Sequence, residues 1–165
     1  MLELVIVIVI ISILLTMAIS RLLVLQVDAE RVALETVAGA LRSALGIKVA
    51  ENIVRGEVAA IADLEGENPM GRLAELPGNY LGEFDAPDPA SLPDGNWYFE
   101  RRGRTLVYLV RHKSHFAGGS RDPSRARFQV LLVYTDRNAN GRFDQGADSI
   151  EGIRLAVLEP YRWTD

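Results

Sequence analysis

Asp136, Asn138, Asn140 and Asp144 place oxygen-bearing side chains at positions 1, 3, 5 and 9 of a loop whose position 6 is Gly141. In such a loop alternate residues point inward and the glycine permits the sharp turn, so the spacing matches the front of an EF-hand-like calcium loop. The backbone carbonyl of Arg142 stands at position 7, and Ala147 occupies position 12, where a bidentate Glu would close the shell. Asp148 is then the sixth ligand to expect, with Glu151 as the other carboxylate available. A site lacking that Glu should be weak. Hard oxygen donors suit Ca²⁺ and not zinc or copper. The same Asn, Gly and Asp residues also describe a plain hairpin turn, which uses them for backbone reasons. Both readings stand on these residues.

Little else offers chemistry. His112 and His115 are the two histidines, and no third ligand sits near them, so a metal pair is not expected. The chain has no cysteine, which excludes disulfides, thiolate metal sites and cysteine nucleophiles. There is no Gly-rich phosphate loop, nucleophile elbow or metalloprotease His pair, and no enzymatic activity is expected. Arg111 to Arg127 is basic and Gly/Ser-rich, and reads as a solvated loop. The net charge of −4 and the lack of interleaved aromatics there argue against a nucleic-acid partner.

Glu3 is the other residue that needs a reason. It stands at the mouth of a run, Leu4 to Ile19, interrupted only by Ser12 and Thr16; up to Leu25 the sole ionic residue is Arg21. A helix of about 20 such residues crosses a bilayer core. The stretch is rich in Val and Ile and would suit a buried strand, but it is too long for one and carries no Gly or Pro. A cleaved secretory signal fits poorly, because no Lys or Arg precedes the run and Ala18-Ile19-Ser20-Arg21 is a poor cleavage site. A lone carboxylate at an apolar end is costly unless it reaches headgroups or finds a positive group on another molecule.

Met1-Leu2-Glu3-Leu4-Val5-Ile6-Val7-Ile8-Val9-Ile10-Ile11-Ser12-Ile13-Leu14 resembles the N-terminal signature of type IV pilins and of the pseudopilins of type II secretion. The resemblance covers about 20 residues. It implies a prepilin peptidase that removes a basic, glycine-ended leader, and a role for Glu3 in attracting the N-terminal amine of a neighbouring subunit. The leader and the usual Phe are not in this sequence. Ser20 stands where many of these pilins have a proline, so a kink there is not implied. Asp28-Ala29-Glu30-Arg31 and Val37-Ala38-Gly39-Ala40-Leu41-Arg42-Ser43-Ala44 resemble the mannose-sensitive-haemagglutinin type of pilin. Major pseudopilins carry a calcium loop near the C-terminus, so the 136–148 motif fits the superfamily.

The elements that must position these residues follow from pattern. Leu34, Val37, Ala38, Leu41 and Leu45 recur at helical spacing, and Asp28, Arg31, Glu35 and Arg42 form a polar stripe beside them. One helix is predicted from Leu2 to Val54, with residues 1–25 as membrane or filament-core segment and 26–54 as amphipathic continuation. Gly56 ends it. Residues 55–165 form the head: a Pro/Gly-rich loop over 55–95, with one short helix at Met70–Leu76 capped by Asn68, then a sheet over 96–165. Predicted strands are Trp97–Glu100, Thr105–His112, Arg127–Thr135 and Ile153–Leu158, the first two joined by a hairpin at Arg102-Gly103-Arg104. The fold class is α+β, a long helix on a small antiparallel sheet, which the resemblance also implies.

Three functions are compatible with this reading. The first is a pilin or minor pilin, polymerising with itself or other pilins for attachment or motility. It would sit in the bacterial inner membrane with a periplasmic head, then in an extracellular pilus. The second is a pseudopilin of a type II secretion system in a periplasmic pseudopilus. The third is a membrane-anchored calcium-binding module that does not polymerise.

Overall fold

A computed structural model of the chain describes residues 2–121 and 123–164, and the side chains of all of these except 20–24, 120 and 121. Met1, the first residue of the pilin-like stretch, and the side chains of Ser20 and Arg21 lie outside that description. Helix α1 runs from Leu2 to Val54 without a break, including through Ser20. Its end is a Schellman closure: Gly56 has φ +75°, its N–H donates to Ile53 O at 3.0 Å, and the Glu57 N–H donates to Asn52 O at 2.8 Å. These bonds satisfy carbonyls that the helix leaves open.

The head forms a six-stranded sheet with β1 (Tyr80–Phe84), β2 (Trp97–Glu100), β3 (Thr105–Leu109), β6 (Ser124–Thr135) and β5 (Ser120–Arg121) in that order, and β7 (Ser149–Val157) paired to β6. A second sheet pairs β4 (Phe116–Gly118) with β8 (Tyr161–Trp163). The hairpin at 101–104 closes β2 on β3 as expected, with Glu100 opposite Thr105. The expected all-antiparallel sheet is corrected: β1 runs parallel to β2, so the sheet is mixed. Gly82 and a register shift interrupt the alternation of β1, which is why the segment carries no strand signal. The rest of 55–95 is also more structured than a loop, with 3₁₀ turns at Val58–Leu64, Pro69–Arg72 and Pro89–Ser91. Asn68 does cap the second of these through Met70 N–H, but that helix stops at Arg72 and not Leu76.

Alternation sorts β6: Ala126, Phe128, Val130 and Leu132 face inward, and Arg127, Gln129 and Leu131 lie between them. Ala126, Phe128 and Val130 pack with Trp97, Leu106 and Tyr108 against Leu34, Ala38, Leu41 and Leu45 of α1. The Trp97 ring lies 4.9 Å from Tyr108 and 5.7 Å from Phe128. The predicted apolar stripe of the helix is therefore its core face, and Asp28, Arg31, Glu35 and Arg42 are exposed as predicted. A smaller apolar cluster of Tyr98, Val107 and Leu109 lies apart from this core and is covered by Phe84 and Leu92. The basic segment 111–127 is not a simple loop. It holds a 3₁₀ turn at Lys113–His115, β4, β5 and the start of β6.

Candidate functional site

The first feature is what the head leaves uncovered. Among the described side chains Val27 is the first buried one of α1, and Leu2 to Ile19 is long and apolar enough to cross a membrane, with none of it buried. Glu3 lies exposed in the first turn of this segment. Above it the helix turns an uncharged face away from the sheet: Leu25, Ala29, Val32, Thr36, Ser43 and Ala50 follow a heptad spacing and all are exposed. Gly39 and Gly46 continue that seam with open space around them. Charged residues flank it and do not enter it.

The second feature is the β6–β7 connection, which begins after Thr135 and ends before Ser149. Here the structure brings the predicted oxygen donors together. Asp136 Oδ2 accepts from the Gly141 N–H at 2.7 Å, across the turn that Gly141 makes at φ +76°. Asn138 Oδ1 accepts from Asn140 N–H at 3.1 Å, and Asn140 Oδ1 accepts from Arg142 N–H at 2.8 Å. The amides of Asn138 and Asn140 both donate to Asp144 Oδ2, the first at 2.8 Å. Asp148 closes the loop by accepting from Arg137 N–H at 3.0 Å and Asp144 N–H at 2.8 Å. Asp136 Oδ1 is buried with no hydrogen-bond partner, a costly condition for a carboxylate oxygen. The Phe143 ring meets Tyr134 edge-on at 5.5 Å and anchors the loop to the sheet. Among the described residues no three acidic or imidazole side chains form a metal-binding group by themselves. The converging set is a mixture of carboxylates and amides.

The third feature is Glu30, buried on α1 against the end of β3. Its Oε1 accepts from the Tyr108 hydroxyl at 2.9 Å and the Arg111 N–H at 2.7 Å. Its Oε2 accepts from the His112 N–H at 3.0 Å and from His112 Nδ1. Four donors thus satisfy one buried carboxylate, as burial of a charge requires. Burial, then the adjacent Glu30, pushes the Tyr108 phenol above its usual range. The same bonds explain why β3 stops at Leu109 and not at His112: the amides of Arg111 and His112 turn to the carboxylate instead of the sheet. His115 Nδ1 donates to Thr164 O at 3.2 Å, so both rings are engaged in separate bonds.

No family model, curated protein or solved structure matches this chain. The functional reading therefore rests on the three features above. Of these, sequence reasoning located the uncovered run and the loop and missed Glu30. The signal was present: Glu30 precedes Leu34 by four residues and falls on the apolar stripe, where a carboxylate must find buried donors.

Proposed function

We propose that this chain is the structural subunit of a type IV pilus-like filament, a pilin or minor pilin, and that it assembles through α1 and is not an enzyme. The observation that supports this best is the uncovered helix: an apolar rod from Leu2 to Ile19 continued by an exposed, uncharged seam to Ala50. In water such a surface has no partner. In a membrane the rod is solvated, and in a bundle of identical helices the small residues of the seam let backbones approach closely. The resemblance of residues 1–14 adds the rest of the reading: processing by prepilin peptidase, an inner-membrane stage with a periplasmic head, and incorporation among other pilins in an extracellular fibre. A pseudopilin of type II secretion shares all of these features except the exposed fibre. Glu3→Ala is expected to leave membrane insertion intact and to deplete the protein from the sheared surface fraction. Wild-type amounts of the variant in that fraction would remove the intersubunit role.

A second element of the reading is calcium in the 136–148 loop, favoured by the unpartnered Asp136 Oδ1 and by the Gly141 turn across Asp136. Asp136, Asn138, Asn140, Asp144 and Asp148 would offer side-chain oxygens, and Arg142 its carbonyl. This element is common to the polymerising reading and to a membrane-anchored calcium module. A ligand that binds only the folded state raises stability by about 2.7 kcal/mol at a hundredfold excess over Kd. Thermal unfolding of the detergent-solubilised chain should therefore shift upward with millimolar Ca²⁺ relative to chelator. Asp136→Ala should abolish the shift. No shift in the unsubstituted chain would leave the loop as a hairpin turn only.

A further inference from the structure

Between α1 and the turn after β3 lies an open cleft of about 500 Å³, lined by Gln26, Ala29 and Ala33 on the helix and by Asn79, Gly95 and Arg111 on the head. Its charge is unusual for this acidic protein. The Arg111 guanidinium has no hydrogen-bond or ion-pair acceptor among the described residues, although Arg111 is anchored through its backbone N–H to Glu30. It packs over Gly95, where an added Cβ would lie 2.7 Å from its terminal nitrogen, so the glycine makes room for it. The acidic groups nearby are already answered. Glu30 accepts from four donors, and Asp94 pairs with Lys113 at 2.8 Å. On the helix side the charged group that lines the cleft is Glu30 itself, whose two oxygens are taken up by those four donors; Gln26, Ala29 and Ala33 are uncharged. Asp28 projects from another side of α1, two positions from Gln26 and 160° around the axis at the helical repeat of about 100° per residue.

The height of this cleft decides its partner. The apolar run of α1 extends through Ile19 and the first ionic residue after it is Arg21, so the edge of the hydrocarbon core falls near residue 21. Gln26 stands about 7 Å further along the axis, at the level of the lipid headgroups, and the long Arg111 side chain is of the kind that reaches such a level while its stem stays on the protein. We propose that the cleft binds the phosphate of an anionic phospholipid headgroup, held by the Arg111 guanidinium with the Gln26 amide at the mouth. This proposal rests on the reading that the first part of α1 spans a bilayer. Bound lipid would fix the depth and tilt of the head over the membrane before the helix is withdrawn into a polymer.

The test uses the full chain reconstituted in bilayers of phosphatidylcholine alone and of equal parts phosphatidylcholine and phosphatidylglycerol. Lipid retained after detergent extraction is counted by native mass spectrometry, and amide exchange of residues 108–115 is followed in parallel. One basic residue at an anionic surface is worth about a five-fold preference. The unsubstituted chain should retain phosphatidylglycerol about five-fold over phosphatidylcholine, with slowed exchange at 108–115. Arg111→Gln keeps the backbone N–H that Glu30 needs, and should reduce the preference to parity. Arg102→Gln, the same charge change in the hairpin at the opposite end of β3, should leave it intact. Equal retention of both lipids overturns the proposal, as does a preference that survives Arg111→Gln or falls equally with Arg102→Gln. If inorganic phosphate in lipid-free detergent slows exchange as much as phosphatidylglycerol does, the cleft is a free-anion site and the lipid assignment fails. Failure of the chain to enter bilayers of either composition would overturn the membrane-spanning reading as well, and is distinguished by flotation.

Discussion

Beside the apolar stripe that packs on the sheet, Glu30 ties the helix to the head through hydrogen bonds to Tyr108, Arg111 and His112. Removing it strands a buried hydroxyl and two backbone N–H groups, each costly without an acceptor. Glu30→Ala should lower the unfolding free energy of the head by about 3 kcal/mol, measured by thermal or denaturant unfolding. Glu35→Ala, one turn further and exposed in an ion pair with Arg31, should cost less than about 0.5 kcal/mol. Similar losses from both would mean that Glu30 is not a fastening point. The contrast between these two glutamates was not visible in their local composition. Both sit among Ala, Val and Arg, and only position on the helical repeat separates them. Asp136 and its neighbours differ in this respect, because their meeting is set by a spacing of a few residues along one loop.

At the scale of elements, α1 is the most local structure in the molecule, and its glycines divide by conformation. Gly56 holds φ +75° at the helix end, so Gly56→Ala should destabilise by about 1 kcal/mol. Gly46 is helical, exposed and has nothing within 4 Å of where a Cβ would stand, so Gly46→Ala should stabilise the isolated chain by about 0.5–1 kcal/mol. Opposite signs in a melting comparison are the expected result. The sheet shows where element prediction stops. The hairpin of β2 and β3 needs only a turn and two alternating runs. The parallel pairing of β1 to β2 and the small β4–β8 sheet bring distant segments together, with Phe116 opposite Trp163. Phe116 lies 5.2 Å from the Tyr161 ring as well, so the second sheet owes its existence to aromatic packing that short runs do not announce.

For the whole molecule, the division between rod and head is sharp. Nothing before Val27 is buried among the described side chains, and the core begins with Val27, Glu30 and Leu34. A fragment of residues 26–165 keeps every one of these contacts and drops the bilayer-length run. It should be soluble and monomeric without detergent, as read by size-exclusion chromatography with light scattering. Persistent aggregation would show that the exposed seam from Ala29 to Ala50 associates without the rod. The same division separates the apolar segment from the loop at 136–148, which lies on the head.

The amino-acid sequence by itself determined the helix from Leu2 to Val54, its apolar first part, its core-facing stripe and the oxygen spacing of the 136–148 loop. Each of these depends on residues within a turn or two of one another, and helical and loop periodicities express such relations directly. The tertiary structure alone decided that Glu30 meets Tyr108, Arg111 and His112, that β1 joins β2 in parallel, and that the Arg111 guanidinium overhangs a cleft beside Gln26. Those pairings join residues far apart in the chain. They form because burial leaves a charge or a strand edge that must find a partner, and only the folded core determines which partner is within reach.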